Sequence, residues 1–138
     1  MFIGRERELT ALNKLYGSNK FEFAVIYGRR RIGKTELIKQ FLGDKKAIYF
    51  MGIESNAKLN LENFSKSILE FNTGIRADTS FSNFQAALEY VFQLAENDRI
   101  ILAIDEYPYV ARSSKSLAST LQLLIDKYKD TSKLMLIL

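Results

Sequence analysis

The chain has 138 residues and a mass of 15.9 kDa, a length typical of one domain. Hydrophobic residues make up 47% and charged residues 26%, with one proline and seven glycines, which excludes collagen-like and disordered classes. The sequence has no cysteine and no histidine, which excludes disulfide scaffolds, thiolate metal sites, His-bearing catalytic triads and imidazole general bases. Acid–base and metal chemistry therefore fall to carboxylates, hydroxyls and lysines.

The net charge of +4 is unevenly distributed along the chain. Residues 1–46 contain 11 Lys and Arg against 5 Asp and Glu, whereas residues 47–138 contain 9 against 11. An electropositive N-terminal third suits a ligand that carries phosphate, either a nucleotide or a nucleic acid. No apolar run is long enough to span a membrane, and the first residues lack a signal-peptide pattern, so we expect a cytoplasmic protein without a membrane partner.

Hydrophobic periodicity predicts helices that alternate with strands. The predicted elements are a helix over 6–16, a strand over 21–27, a helix over 34–42, a strand over 47–51, helices over 61–71 and 81–94, a strand over 99–104, a helix over 117–128 and a strand over 133–138. Asn60 is expected to cap the helix over 61–71, and Ser80 or Ser82 the helix over 81–94. This alternation predicts an α/β layer structure with a parallel sheet.

The last predicted strand is wholly apolar from Leu134 onward, and no turn or helix follows it. We therefore expect the chain to be a fragment of a longer protein, with its sheet truncated after the fourth strand. The alternative is that this strand simply closes the sheet.

Residues 28–35 match the Walker A pattern G-x-x-x-x-G-K-[ST], between a predicted strand and a predicted helix. In such a loop, backbone amides and the helix N-terminus surround the phosphates of a nucleotide. Lys34 is expected to reach the β- and γ-phosphates, and the hydroxyl of Thr35 to bind Mg²⁺. The predicted nucleotide-binding residues of this segment are Gly28, Arg29, Arg30, Arg31, Ile32, Gly33, Lys34, Thr35 and Glu36. The side chains of its three arginines either face solvent and carboxylates or contact a partner domain or nucleic acid.

The apolar strand over 99–104 leads into two carboxylates, Asp105 and Glu106, as in a Walker B motif. Asp105 is expected to hold the Mg²⁺ shell beside Thr35, and Glu106 to act as the general base for a water in line with the γ-phosphate. Glu106 and Lys34 are thus the predicted catalytic residues. The sequence lacks the D-x-x-G and N-K-x-D motifs of GTPases. The segment 107–109 is expected to pack as a loop, with substrate recognition as the alternative. Glu54 and Asn56 either sense the γ-phosphate or belong to a solvated loop.

Three segments together resemble the archaeal-type ATPase family, a branch of the AAA+/STAND-related P-loop ATPases. They are Phe-Ile-Gly-Arg-Glu-Arg-Glu-Leu at 2–9, Tyr-Gly-Arg-Arg-Arg-Ile-Gly-Lys-Thr-Glu-Leu at 27–37 and Asp-Glu-Tyr-Pro at 105–108. The resemblance implies a three-layer P-loop NTPase fold of the ASCE/AAA+ type. The strand that begins at Leu134 would then lie between the Walker A and Walker B strands. The resemblance also implies that Phe2, Ile3 and Gly4 line the adenine pocket.

The predicted function is ATP binding and Mg²⁺-dependent ATP hydrolysis by a motor or switch module that acts on attached domains or partners. The alternative is a nucleotide-dependent DNA- or protein-binding module with little turnover, and a third interpretation is a scaffold. The resemblance implies that a sensor residue, a further strand and C-terminal domains follow Leu138. Residues 1–138 are therefore expected to be the N-terminal part of an ATPase domain, weakly active or inactive alone. Its expected partners are ATP or ADP, those C-terminal domains and a second copy of the chain, with nucleic acid left open.

Overall fold

The computed structural model describes residues 6–26, 33–73 and 80–138. This part of the chain contains six helices and four strands, and all of the predicted helices and strands are among them. They are α1 (Glu6–Tyr16), β1 (Glu22–Ala24), α2 (Lys34–Leu42), β2 (Ala47–Met51), α3 (Ala57–Thr73), α4 (Phe84–Leu94), β3 (Ile100–Asp105), α5 (Tyr107–Ser113), α6 (Leu117–Tyr128) and β4 (Leu134–Ile137). None of the helices among these residues is long and apolar enough to cross a membrane.

The four strands form one parallel sheet in the order β1–β4–β3–β2. The strand that begins at Leu134 therefore lies between β1, which precedes the Walker A segment, and β3, which ends in Asp105. This is the order that the family resemblance implies. In a parallel sheet the carboxyl ends of all strands meet at one edge, so the residues that directly follow β1, β2 and β3 lie at that edge.

Helices cover both faces of the sheet, which makes the fold three-layered. Successive strand residues point to opposite faces, so β3 and β4 divide their apolar side chains between two cores. One core contains Leu102, Leu134 and Leu136 with apolar residues of α3, α4, α5 and α6. The other contains Ile101 and Met135 with apolar residues of α1 and α2. The predicted α/β class and the buried parallel strands are thus confirmed.

The predicted starts of two helices are wrong. The third helix begins four residues earlier than predicted, at Ala57, because the side chain of Asn56 accepts a hydrogen bond from the amide of Leu59 at 2.9 Å. Asn60, the predicted cap, lies inside the helix instead. The fourth helix begins at Phe84, where Asn83 accepts from the amide of Ala86 at 2.7 Å, in place of Ser80 or Ser82. Several residues that can cap a helix stand close together in both places, and tertiary contacts select among them.

Two further differences lie beside the predicted motifs. β1 covers only Glu22–Ala24, although the amide of Ile26 still donates to the carbonyl of Leu138 at 2.9 Å, so the pairing continues beyond the strand itself. The segment predicted as a loop after Glu106 forms a seven-residue helix, α5. Pro108 lies in the first turn of α5. Backbone amides there have no acceptor within the helix, so the missing N–H of proline costs no hydrogen bond.

Candidate nucleotide site

The candidate site lies where the N-terminus of α2 meets the carboxyl end of β3. Gly33 precedes α2 with φ 78° and ψ 14°, a left-handed conformation that suits glycine. The helix begins at Lys34 and runs away from the sheet edge, so the amides of its first turn have no partners within the helix. These amides and the helix dipole favour an anion at this point.

Asp105 is the centre of the site and is only 1% exposed. Its Oδ2 accepts hydrogen bonds from the hydroxyls of Thr35 and Tyr49, each at 2.6 Å. Its Oδ1 accepts from the backbone amide of Glu106 at 3.0 Å. Three donors from three segments therefore fix the orientation of this carboxylate, which a buried charge requires.

Lys34 supplies the positive charge beside Asp105. Its Nζ lies 3.8 Å from Oδ1 of Asp105, and the residue is only 9% exposed. This separation is too long for a hydrogen bond, so the ammonium acts on the carboxylate as a nearby charge. Lys34 thus has a counter-ion while its three donors are free of Asp105.

Tyr49 belongs to the site, although it was not among the residues predicted from the sequence. Burial, followed by the hydrogen bond to Asp105 and the charge of that carboxylate, raises the pKa of the Tyr49 phenol well above its ordinary value. The phenol is therefore protonated at neutral pH and acts as a donor. The available signal was a polar hydroxyl on a strand with apolar neighbours, but only the lateral order of β2 and β3 shows which carboxylate it contacts.

Glu106 lies in the tight connection between β3 and α5. Its backbone adopts φ 54° and ψ 39°, a left-handed conformation that costs a residue with a Cβ about 1–3 kcal/mol. Gly52, which follows β2, packs against this connection, and its amide donates to the carbonyl of Asp105 at 2.8 Å. A Cβ built on Gly52 would lie 2.7 Å from the carbonyl oxygen of Glu106 and 2.5 Å from Cγ2 of Val110. No pattern in the sequence signals this close approach.

Asn60 fixes the turn that contains Gly52. Its buried side chain accepts from the amide of Ile53 at 3.0 Å and donates to the carbonyl of Ile53 at 3.1 Å. It also donates to Oγ of Ser113 at the end of α5, at 3.4 Å. The turn after β2 and the helix after Glu106 are thereby held together.

Some of the predicted site residues lie at Asp105, and others lie away from it or outside the described residues. Thr35, Lys34 and Asp105 come together, and Glu106 directly follows Asp105. Glu36 is exposed in the first turn of α2, whereas Glu54 is exposed and Asn56 caps α3. The remaining predicted residues lie outside the described residues, namely Phe2, Ile3, Gly4, Gly28, Arg29, Arg30, Arg31 and Ile32.

The donor set of the site fits Mg²⁺ better than a transition metal. It consists of the Thr35 hydroxyl and the Asp105 carboxylate, and hard cations prefer such oxygen ligands. Among the described residues, no group of three or more His, Cys, Asp or Glu side chains could enclose a metal ion. A donor set of one carboxylate and one hydroxyl suits Mg²⁺, which is usually held by one or two carboxylates together with substrate phosphates.

Comparison with known proteins agrees with this geometry. A protein of Methanocaldococcus jannaschii, the uncharacterized protein MJECL04, is 34% identical over all 138 residues, and the chain spans about 29% of its length. A second protein of that archaeon, the uncharacterized ATP-binding protein MJ0423, is 50% identical over 46 residues, which are 33% of this chain and 78% of that protein. Residues 2–138 match the family described as an ATPase domain predominantly from Archaea. On this match over nearly its whole length, the chain belongs to that family of archaeal ATPase domains.

Proposed function

We propose that this domain binds Mg-ATP and hydrolyses it, and that it acts as a motor or switch module for attached domains or partners. The observation that carries the proposal is the 2.6 Å contact between Thr35 and Asp105, with Lys34 beside it at the start of α2. It joins the last residue of the Walker A segment to the first carboxylate of the Walker B segment, which are 70 residues apart in the chain. Family membership and the name of the ATP-binding relative support the same ligand.

Phosphate binding falls to the segment 28–36. The amides at the N-terminus of α2 offer donors and a positive partial charge, and Lys34 adds a full charge. Lys34 is paired with Asp105 at 3.8 Å, so it can turn its donors to the β- and γ-phosphates without leaving its counter-ion. Thr35 and Asp105 would hold Mg²⁺, which neutralises phosphate charge when it is bound.

Glu106 is the general base of the proposed reaction. Its carboxylate takes a proton from water, the water oxygen forms a bond to the γ-phosphorus, and the bond from that phosphorus to the β–γ bridging oxygen breaks to release ADP. The left-handed backbone at Glu106 supports this role, because strained conformations cluster at functional sites.

An apolar cleft beside α2 suits the base of the nucleotide. It has a volume of about 330 Å³ and lies between α1, β1 and α2. Leu37 lines it one helical turn after Lys34, so the cleft is close to the phosphate-binding end of the helix. Phe2, Ile3 and Gly4 precede α1, and we propose that they contact the adenine there. Leu12, Leu15, Ala24 and Ile26 also line the cleft.

A nucleotide-dependent DNA- or protein-binding module with little turnover is the second candidate. The excess of Lys and Arg in residues 1–46 favours it, because a basic surface attracts phosphate backbones. DNA contacts of this kind would weaken steeply as salt is raised.

Phosphate release and ATP binding by the Glu106→Gln variant distinguish these functions. If Glu106 is the base, turnover falls by about 10²–10⁴-fold while ATP affinity stays within a few-fold of the unsubstituted protein. Asp126→Asn, which removes a carboxylate on α6, serves as the control and should keep full turnover. Equal turnover of Glu106→Gln and the unsubstituted protein would contradict the assigned role. ATP binding without measurable turnover, both in this domain and in a longer protein that contains it, would favour the binding module.

A further inference from the structure

Two hydroxyls share one oxygen of Asp105. Thr35 reaches Oδ2 from α2, and Tyr49 reaches the same atom from β2, each at 2.6 Å. Thr35 belongs to the Walker A pattern, whereas Tyr49 belongs to no motif found in the sequence. Tyr49 lies on the same face of the sheet as Asp105, because Met51 pairs with Asp105 and side chains two residues apart share a face.

The Tyr49 hydroxyl restrains the carboxylate independently of Thr35. A carboxylate oxygen accepts about two hydrogen bonds, so the two hydroxyls saturate Oδ2. The amide of Glu106 and the charge of Lys34 lie on the side of Oδ1. When the Thr35 oxygen serves a cation, Tyr49 still holds Asp105 from the strand beside it.

We propose that Tyr49 is a positioning residue for divalent-cation binding, which acts by orienting Asp105. The inference rests on the proposed function, because it concerns Mg²⁺ bound together with a nucleotide at Thr35 and Asp105. Hydrogen-bond partners of metal-binding groups typically change metal affinity by about 10–100-fold when they are removed. Tyr49 sets this affinity through its hydroxyl, since its ring makes a separate contact below Nζ of Lys39 at 5.2 Å.

Tyr49→Phe isolates the hydroxyl, because it keeps the ring and its contact with Lys39. Calorimetric titration of ATP with the metal chelated gives the metal-free ATP affinity. Repeating the titration at a series of Mg²⁺ concentrations gives the concentration at which Mg²⁺ has half of its full effect on the ATP affinity. We expect Tyr49→Phe to raise that Mg²⁺ concentration by about 10–100-fold and to leave the metal-free ATP affinity within about threefold. If Tyr49 acted through packing alone, the substitution would not change the Mg²⁺ dependence separately from the metal-free ATP affinity.

Tyr128→Phe is the matched control, since the Tyr128 hydroxyl donates to the Glu89 carboxylate at 2.6 Å, far along the chain from the Walker segments. It should leave the Mg²⁺ dependence unchanged. If Tyr49→Phe shows the same Mg²⁺ dependence as the unsubstituted protein, the inference is overturned and the proposed function stands. If the unsubstituted protein itself binds no ATP, the proposed function fails first.

Discussion

Asp105 and Gly52 illustrate how single residues define the site. Asp105 is a buried carboxylate, and both of its oxygens accept hydrogen bonds from neighbouring segments. Gly52 has no side chain, and its contribution is the space that it leaves for the carbonyl of Glu106. The first residue acts through charge and the second through the absence of a Cβ, yet both determine where Glu106 lies.

Gly52→Ala should destabilise the protein by about 1–3 kcal/mol, because its Cβ would overlap the Glu106 carbonyl and Val110. Relief requires a shift of the Glu106 backbone, so we also expect slower ATP turnover. Urea unfolding measures the first effect and phosphate release the second.

Gly17→Ala is the control for that substitution. Its Cβ would lie 3.5 Å from the nearest heavy atom, the carbonyl oxygen of Asn13, which is an ordinary contact. We expect its free energy of unfolding to stay within about 1 kcal/mol of the unsubstituted protein. Equal unfolding midpoints for the two alanine variants would contradict the close approach at Gly52.

At the scale of elements, Arg99 joins the end of α1 to the starts of β1 and β4. The residue is 9% exposed and directly precedes β3. Its guanidinium donates at 2.5–3.1 Å to four backbone carbonyls, those of Leu15, Tyr16, Lys20 and Lys133. Two of these carbonyls, those of Leu15 and Tyr16, end α1 and also accept from the amides of Ser18 and Asn19 at 3.2 and 3.4 Å. The Arg99 side chain therefore joins the ends of several elements.

Arg99→Met keeps much of the aliphatic bulk and removes all of the donors. Because it removes four charge-assisted hydrogen bonds to backbone carbonyls, we expect a loss of about 2–4 kcal/mol in the free energy of unfolding. Arg112→Met is the matched control: Arg112 is exposed on α5 and its guanidinium lies 5.5 Å from the Tyr109 ring. Urea unfolding should place the control within about 0.5 kcal/mol of the unsubstituted protein. Similar losses in both variants would refute the joining role of Arg99.

At the scale of the whole molecule, the α/β architecture follows largely from the sequence. The predicted bounds of α1, α2, α6 and β2 agree with the structure, because each combines clear periodicity with a distinct end signal. The short helix α5 was missed, since seven residues with a proline near the start show little periodicity. The strand order came from the family resemblance and not from the pattern of apolar residues.

The site could be predicted only as far as its motifs reach. Thr35 and Asp105 are recognisable from spacing, and the structure brings them into contact. Tyr49, Gly52 and Asn60 act through neighbours that are distant in sequence or through the space beside a backbone. Such relations depend on the lateral pairing of β2 with β3 and on the path of the turn after β2, which no local pattern encodes.

The central claim is that the start of α2 and the end of β3 form a site for Mg-ATP. The most direct measurement is calorimetric titration of ATP with Mg²⁺ into the unsubstituted protein, Lys34→Ala and the control Lys66→Ala, which removes an equal charge from the exposed face of α3. We predict saturable binding that Lys34→Ala weakens by about 10–100-fold and Lys66→Ala leaves unchanged, because a charge-assisted hydrogen bond is worth about 1.5–3 kcal/mol. Equal affinity for ATP in all three proteins, or no binding by the unsubstituted protein, would contradict the claim.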